Sequence, residues 1–187
     1  VGVSLALGRP FLAMPTQNPV GSAGTHLLPQ AQLDRFMIRL EMGYPDYKSQ
    51  VEILRDRQTS NPIDQTCEIK HKEEILSMQE EVRNIHVEEA ILESVTALAM
   101  ESREDEMIRL GVSPRGALSV VRMAKPRAYL KGRAYVTPGA VQRVLTDVCG
   151  HRTILNPRAR VAALTAGALL KREMARAKSP DRRPCGR

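Results

Sequence analysis

Three short stretches constrain the fold of this chain more than any other feature. "SPRGAL" places Ser113 before Pro114, "TPGAV" places Thr137 before Pro138, and "NPRAR" places Asn156 before Pro157. A Ser, Thr or Asn side chain can accept a hydrogen bond from a free N–H of a first helical turn. Proline fits the position just after it, where its missing N–H costs nothing. Three such starts in the second half of 187 residues predict a succession of helices. The apolar residues agree. Aromatics make up only 3% of the chain and Trp is absent, so a core must come from Leu, Ile, Val, Ala and Met. Those residues suit helices packed on one another better than a β-sandwich.

The periodicity extends the helical reading forward. Residues 46–57 read as a helix and residues 58–68 as a loop. Ile75, Met78 and Val82 share one face over residues 70–83. Ile91, Val95 and Leu98 do the same over residues 87–103. The first part of the chain reads differently. "PFLAMPTQ", residues 10–17, is a short apolar run that predicts a buried strand, although Pro15 removes a ladder donor and confines it to an edge or bulge. Residues 18–32 read as loop, with a helical turn at 29–34. Residues 36–42, "FMIRLEM", alternate with the period of a strand. "GYPD" at 43–46 is a turn and a candidate domain boundary. From about 176 onward the chain is basic, Pro-containing and poor in large apolar residues, which predicts a flexible tail.

Charge is distributed unevenly. Residues 1–108 carry 10 Lys/Arg against 18 Asp/Glu, whereas residues 109–187 carry 18 against 3. The basic half raises nucleic-acid binding as a reading. It equally fits two surfaces that attract each other within or between subunits. No aromatic–basic motif of a nucleic-acid fold accompanies the charge, so nucleic acid is not the expected partner. Cys67, Cys149 and Cys185 are far apart and form no CxxC pair, which suits a reducing, cytoplasmic setting. "VGVSLALGRPFLAM" is too interrupted by Gly8, Arg9 and Pro10 to span a bilayer, and it lacks the charged leader of a signal peptide. The four histidines show no HxxxH spacing, and no metal site is expected.

Three side chains stand out chemically. Arg115 follows Pro114 at the start of a capped helix, where free N–H groups favour an anion; the alternative is an exposed arginine lying over its neighbours. Arg158 has the same placement. Asn18 follows the first predicted strand, at the end where α/β sheets bind ligands; the alternative is a turn-forming Asn-Pro. Arg35 follows Asp34 and reads either as half of a surface ion pair or as an arginine finger, which stabilises charge on a phosphoryl group. No GxxxxGK[ST] loop occurs in the sequence.

Read together, "FLAMPTQNP", "GTHLLPQAQLDRF", "GYP", "GVSPRGALSVVRMA", "LKGRAYVTPGAV" and "HRTILNPRAR" resemble, in order and spacing, the MoxR family of AAA+ ATPases over roughly residues 9–160. The resemblance implies a mostly α chain with a small α/β piece. Residues 1–44 would be the last two strands of an αβα nucleotide-binding core, residues 45–170 a helical lid, and residues 171–187 a basic tail. It implies that Asn18 is the sensor-1 residue, that Arg35 is an arginine finger reaching a neighbouring subunit's nucleotide, and that Arg115 is the sensor-2 arginine on the γ-phosphate. ATP and Mg²⁺ would be the cofactors of an intact family protein. Walker A and Walker B would precede this chain, which is expected to be inactive alone and to bind neither cofactor tightly.

The family role is chaperone-like, ATP-driven assembly or maturation of other proteins. Its partners would be further copies in a hexameric ring and proteins with von Willebrand factor A domains. The alternative is a non-catalytic helical interaction module. The sequence departs from the family at several positions. Pro15 replaces an Ala, Gln30 stands where Glu is usual, and Gly139 softens an acidic helix start. Pro126 falls inside a lid helix, where it is expected to cost about 3 kcal/mol or to kink the helix.

Overall fold

A computed structural model describes residues 6–17, 28–59 and 61–177. The described residues are mostly helical: α1 (Gln30–Leu33), α2 (Tyr47–Asp56), a 3₁₀ turn (Pro62–Gln65), α3 (Lys72–Arg83), α4 (Glu89–Glu104), α5 (Pro114–Tyr129), α6 (Pro138–Cys149), α7 (Pro157–Val161) and α8 (Ala166–Ala177). Two short strands, β1 (Ile108–Leu110) and β2 (Ile154–Leu155), form an antiparallel pair in which Ile108 faces Leu155 and Leu110 faces Ile154.

The chain divides into two compact units. One comprises residues 1–13 and 40–80, the other residues 14–39 and 81–187, so the division falls within α3. The first unit holds α2, the 3₁₀ turn and most of α3. Asp46 caps α2, accepting from Ser49 N at 2.8 Å, and Asn61 Oδ1 accepts from Ile63 N at the 3₁₀ turn. Gly43, with φ +57°, makes the turn before α2. No residue of α2, the 3₁₀ turn or α3 is buried.

The second unit contains the core. α5 packs on α6, and α8 lies against both α4 and α6. Ile91, Val95 and Leu98 of α4 meet Val120 and Ala124 of α5, Val141, Leu145 and Val148 of α6, and Leu170 and Met174 of α8. The three cap–Pro starts form as the sequence dictates. Ser113 Oγ accepts from Gly116 N at 3.1 Å, Thr137 Oγ1 from Ala140 N at 3.2 Å, and Asn156 Oδ1 from Arg158 N at 3.3 Å.

Several expectations are corrected. Residues 10–17 and 36–42 form no strand. A strand needs a ladder partner, and residues 34–39 satisfy their backbone differently. Arg39 N donates to Asp147 O at 2.9 Å, while the carbonyls of Phe36 and Met37 accept from Arg152. Ile38 packs against the main core. The small sheet is instead the β1–β2 pair, which shorter apolar signals did not announce. Pro126 lies inside α5, which runs on to Tyr129, a continuation that either a cost or a kink allows. Lying in the helix's last turn, its carbonyl still accepts from Leu130 N at 2.9 Å. Residues 171–177, assigned above to the tail, complete α8, whose Leu170 and Met174 are buried.

Candidate functional site

The site begins at the end of α4. Ser102, fully buried, donates to Ala99 O at 2.9 Å and accepts from Val112 N at 2.9 Å. Arg103 Nε donates to Val112 O at 2.9 Å. Gly111 passes so close to α4 that a Cβ there would stand 2.4 Å from Ser102 O. These contacts fix the approach to Ser113, and so fix where α5 begins and where Arg115 projects. Gly116, one residue on, lets this first turn approach Arg152: a Cβ would lie 3.0 Å from Val112 Cγ1 and 3.5 Å from Arg152 Cδ.

Arg152 organises the other wall. Its side chain is 3% exposed. Nε donates to Asp34 Oδ1 at 3.0 Å, Nη2 to Phe36 O at 2.7 Å and Asp34 O at 3.1 Å, and Nη1 to Met37 O at 3.1 Å and to Val148 O. A guanidinium presents five N–H donors in one plane, and here they gather the carbonyls of a turn that has no strand to pair with. His151 adds to the grip, its Nε2 lying 3.2 Å from Phe36 O, which requires the Nε2–H tautomer. Gln30 Nε2 donates to His151 O at 2.7 Å. A carboxylate in its place would have no proton to give to that carbonyl.

The clamp carries Arg35 with it. Asp34, Arg35 and Met37 form one side of an open cleft of about 460 Å³, and Pro114, Arg115, Leu118, Ser119 and Arg122 form the other, with Arg152 at its base. Arg35, Arg115 and Arg122 are exposed. The carboxylate in this lining is Asp34, whose Oδ2 lies 3.6 Å from Arg115 Nη1. Arg115 in the first turn of capped α5, Arg122 two turns along it and Arg35 across the cleft are the kind of groups that suit an anion with several oxygens.

The structure thus brings Arg35 and Arg115 to one cleft. Asn18 lies outside the described residues. Sequence reasoning missed Arg122, although it stands seven residues after Arg115 and hence two turns along the same helix face. It also missed the work of Arg152, although the "HR" pair belongs to the quoted motif. No spacing rule could have matched Arg152 to a turn more than a hundred residues earlier.

Comparisons with known proteins bear on the family of the chain. Residues 100–173 match the AAA lid domain, and residues 1–38 match the ATPase family associated with various cellular activities (AAA). The Bacillus subtilis protein YeaC, itself uncharacterised, is 35% identical over 97% of this chain and 57% of its own length. The chaperone MoxR1 of Mycobacterium tuberculosis is 32% identical over 82% of this chain and 43% of its own. A solved structure of a candidate ATPase from Cytophaga hutchinsonii superposes with a TM-score of 0.81 at 30% identity, covering 92% of this chain and 55% of that one. The chain therefore spans about half the length of the proteins it matches. No helix among the described residues is long and apolar enough to cross a membrane.

Proposed function

Because this chain belongs to the MoxR family of AAA+ ATPases and matches the C-terminal portion of its members, we propose that it supplies the lid and the phosphate-facing arginines of an ATP-driven, chaperone-like machine. The observation that carries this is the convergence of Arg35 and Arg115 on one cleft. Phosphoryl transfer depends on charge placed around the terminal phosphate more than on covalent chemistry from the protein. Two arginines from distant parts of the chain, held on a shared frame by Arg152, meet that need.

The cleft also refines the division of labour that the family resemblance implies. Both Arg35 and Arg115 line one cleft, and on this reading they would face one anion together. In a ring of copies, both would then be presented to the same nucleotide, with Asn18 placing the attacking water in the manner of sensor 1. Residues 1–44 would be the end of the nucleotide-binding core and residues 45–170 the lid. The residues of the cleft fit the phosphate end of ATP and do not fit Mg²⁺, because Asp34 is already paired with two arginines. ATP supplies the phosphoryl group to be transferred; Arg35, Arg115 and Arg122 bind and orient it. Proteins carrying von Willebrand factor A domains are the partners that the family reading assigns, and the cytoplasm is the compartment.

The test is turnover by the intact protein that includes this chain. Arg35→Ala is expected to lower kcat about 10³-fold or more, far beyond any fall in nucleotide affinity. Equal loss of affinity and turnover would make Arg35 a structural residue and remove the basis for this assignment.

A further inference from the structure

The two ion pairs of Asp34 are unlike each other. Its Oδ1 meets Arg152 Nε at 3.0 Å, and that guanidinium is 3% exposed and bonded on every side. Its Oδ2 meets Arg115 Nη1 at a loose 3.6 Å, and that side chain is 62% exposed. Exposed ion pairs contribute little and rearrange readily, whereas a buried charge deprived of its partner is strongly penalised. One oxygen is therefore fixed and the other is replaceable.

We propose that Asp34 is the exchangeable counter-ion of Arg115. With the cleft free of anion, Oδ2 draws Arg115 toward the 34–37 turn. An entering phosphate takes Arg115 over, while Arg152 keeps Asp34 and the turn in place. This rests on the reading of the cleft as a phosphate site. Asp34 is a positioning residue: it never needs to touch phosphate, and it acts through the guanidinium it releases. The exchange also gives the site selectivity. A weakly charged anion cannot outcompete a carboxylate already seated near Arg115, whereas a terminal phosphate with two or more charges can. The carboxylate thus holds Arg115 near its working position and screens out weaker ligands.

Inorganic pyrophosphate titrated into this chain at fixed ionic strength tests the exchange, with arginine Nε–Hε resonances as the readout. Asp34→Asn keeps an oxygen to accept from Arg152 Nε and removes the charge that competes for Arg115. It is expected to bind pyrophosphate about fivefold more tightly than the wild type, and Arg115→Ala in the same background is expected to abolish the gain. A carboxylate that merely repels the anion would give a gain that survives Arg115→Ala, so the double variant separates the two roles. In the wild type the Arg115 signal should move on titration while the Arg152 signal stays. If wild type and Asp34→Asn bind equally tightly through Arg115, the phosphate site stands and the exchange is wrong. If binding in every variant is indifferent to Arg115→Ala, the reading of the cleft falls and takes the exchange with it. Movement of the Arg152 signal together with that of Arg115 would overturn the fixed mount.

Discussion

α2 and α6 are built from the same local instructions and end in opposite circumstances. Both have a side-chain N-cap, Asp46 for one and Thr137 for the other. Both concentrate apolar residues on one face: Tyr47, Val51 and Leu54 in α2, and Val141, Leu145 and Val148 in α6. Yet α6 buries six residues and α2 none. Caps and amphipathic spacing decide that a helix forms. They do not decide whether its apolar face finds a partner, and most helical stability in proteins comes from that packing. Stability in this molecule should therefore be concentrated in the unit that holds α4, α5, α6 and α8.

Truncations across the two units put the largest strain on this contrast. Leu98, 0% exposed, packs in the main cluster. Leu98→Ala should cost about 2–5 kcal/mol, the range for a large-to-small change in a packed core. Leu54, 60% exposed on α2, loses little by truncation, and Leu54→Ala should stay within about 0.5 kcal/mol. Urea unfolding followed by circular dichroism reads both. Comparable losses would mean that α2 has a partner in solution and that the two helices are alike after all.

A second contrast lies inside the packed unit, between arginines. Arg152→Ala would leave the Asp34 carboxylate and the carbonyls of Met37 and Val148 without the donor that now serves them. Removing one member of a buried, hydrogen-bonded pair points to a loss of about 3 kcal/mol. Arg115→Ala removes one loose, solvent-facing contact and should cost under about 1 kcal/mol. Thermal denaturation of the two variants separates a side chain that holds the turn from one that waits for a ligand. If Arg152→Ala proved as mild as Arg115→Ala, the 34–37 turn would have to be held by Ile38 and the neighbouring backbone bonds alone.

This difference between arginines marks the limit of what the sequence could reveal. Helix starts were legible at Ser113, Thr137 and Asn156 because a cap is a local event, complete within four residues. The faces of α3 and α4 were legible for a similar reason, since helical periodicity is written in neighbouring positions. The strand expected at 36–42 was misread because alternation describes which side chains are hidden and not what the backbone bonds to. Residues 36–39 pack a partly buried Ile38 against the core but give their carbonyls and N–H groups to Arg152 and Asp147. The candidate site was half legible. Arg35 and Arg115 were identified through motif context, yet their meeting depends on Arg152, and a side chain bridging more than a hundred residues leaves no periodic trace.

The smallest expected effect concerns pH, and it too belongs to the packed unit. Burial, and then the positive charge of Arg152, hold the His151 imidazole below its ordinary pKa. In the folded state the neutral ring donates from Nε2 to Phe36 O. The unfolded chain takes up the proton near the ordinary value of about 6.5, while the folded chain resists it until lower pH. Between those two points the unfolded state binds more protons, so stability present above about pH 6.5 is lost as pH falls toward the folded value. Denaturation between pH 7.5 and 5 should therefore show a decline that His151→Gln flattens, since glutamine can donate to the same carbonyl without titrating. A decline that survives His151→Gln unchanged would place the acid-sensitive group elsewhere and would separate the grip on Phe36 from the protonation of this ring.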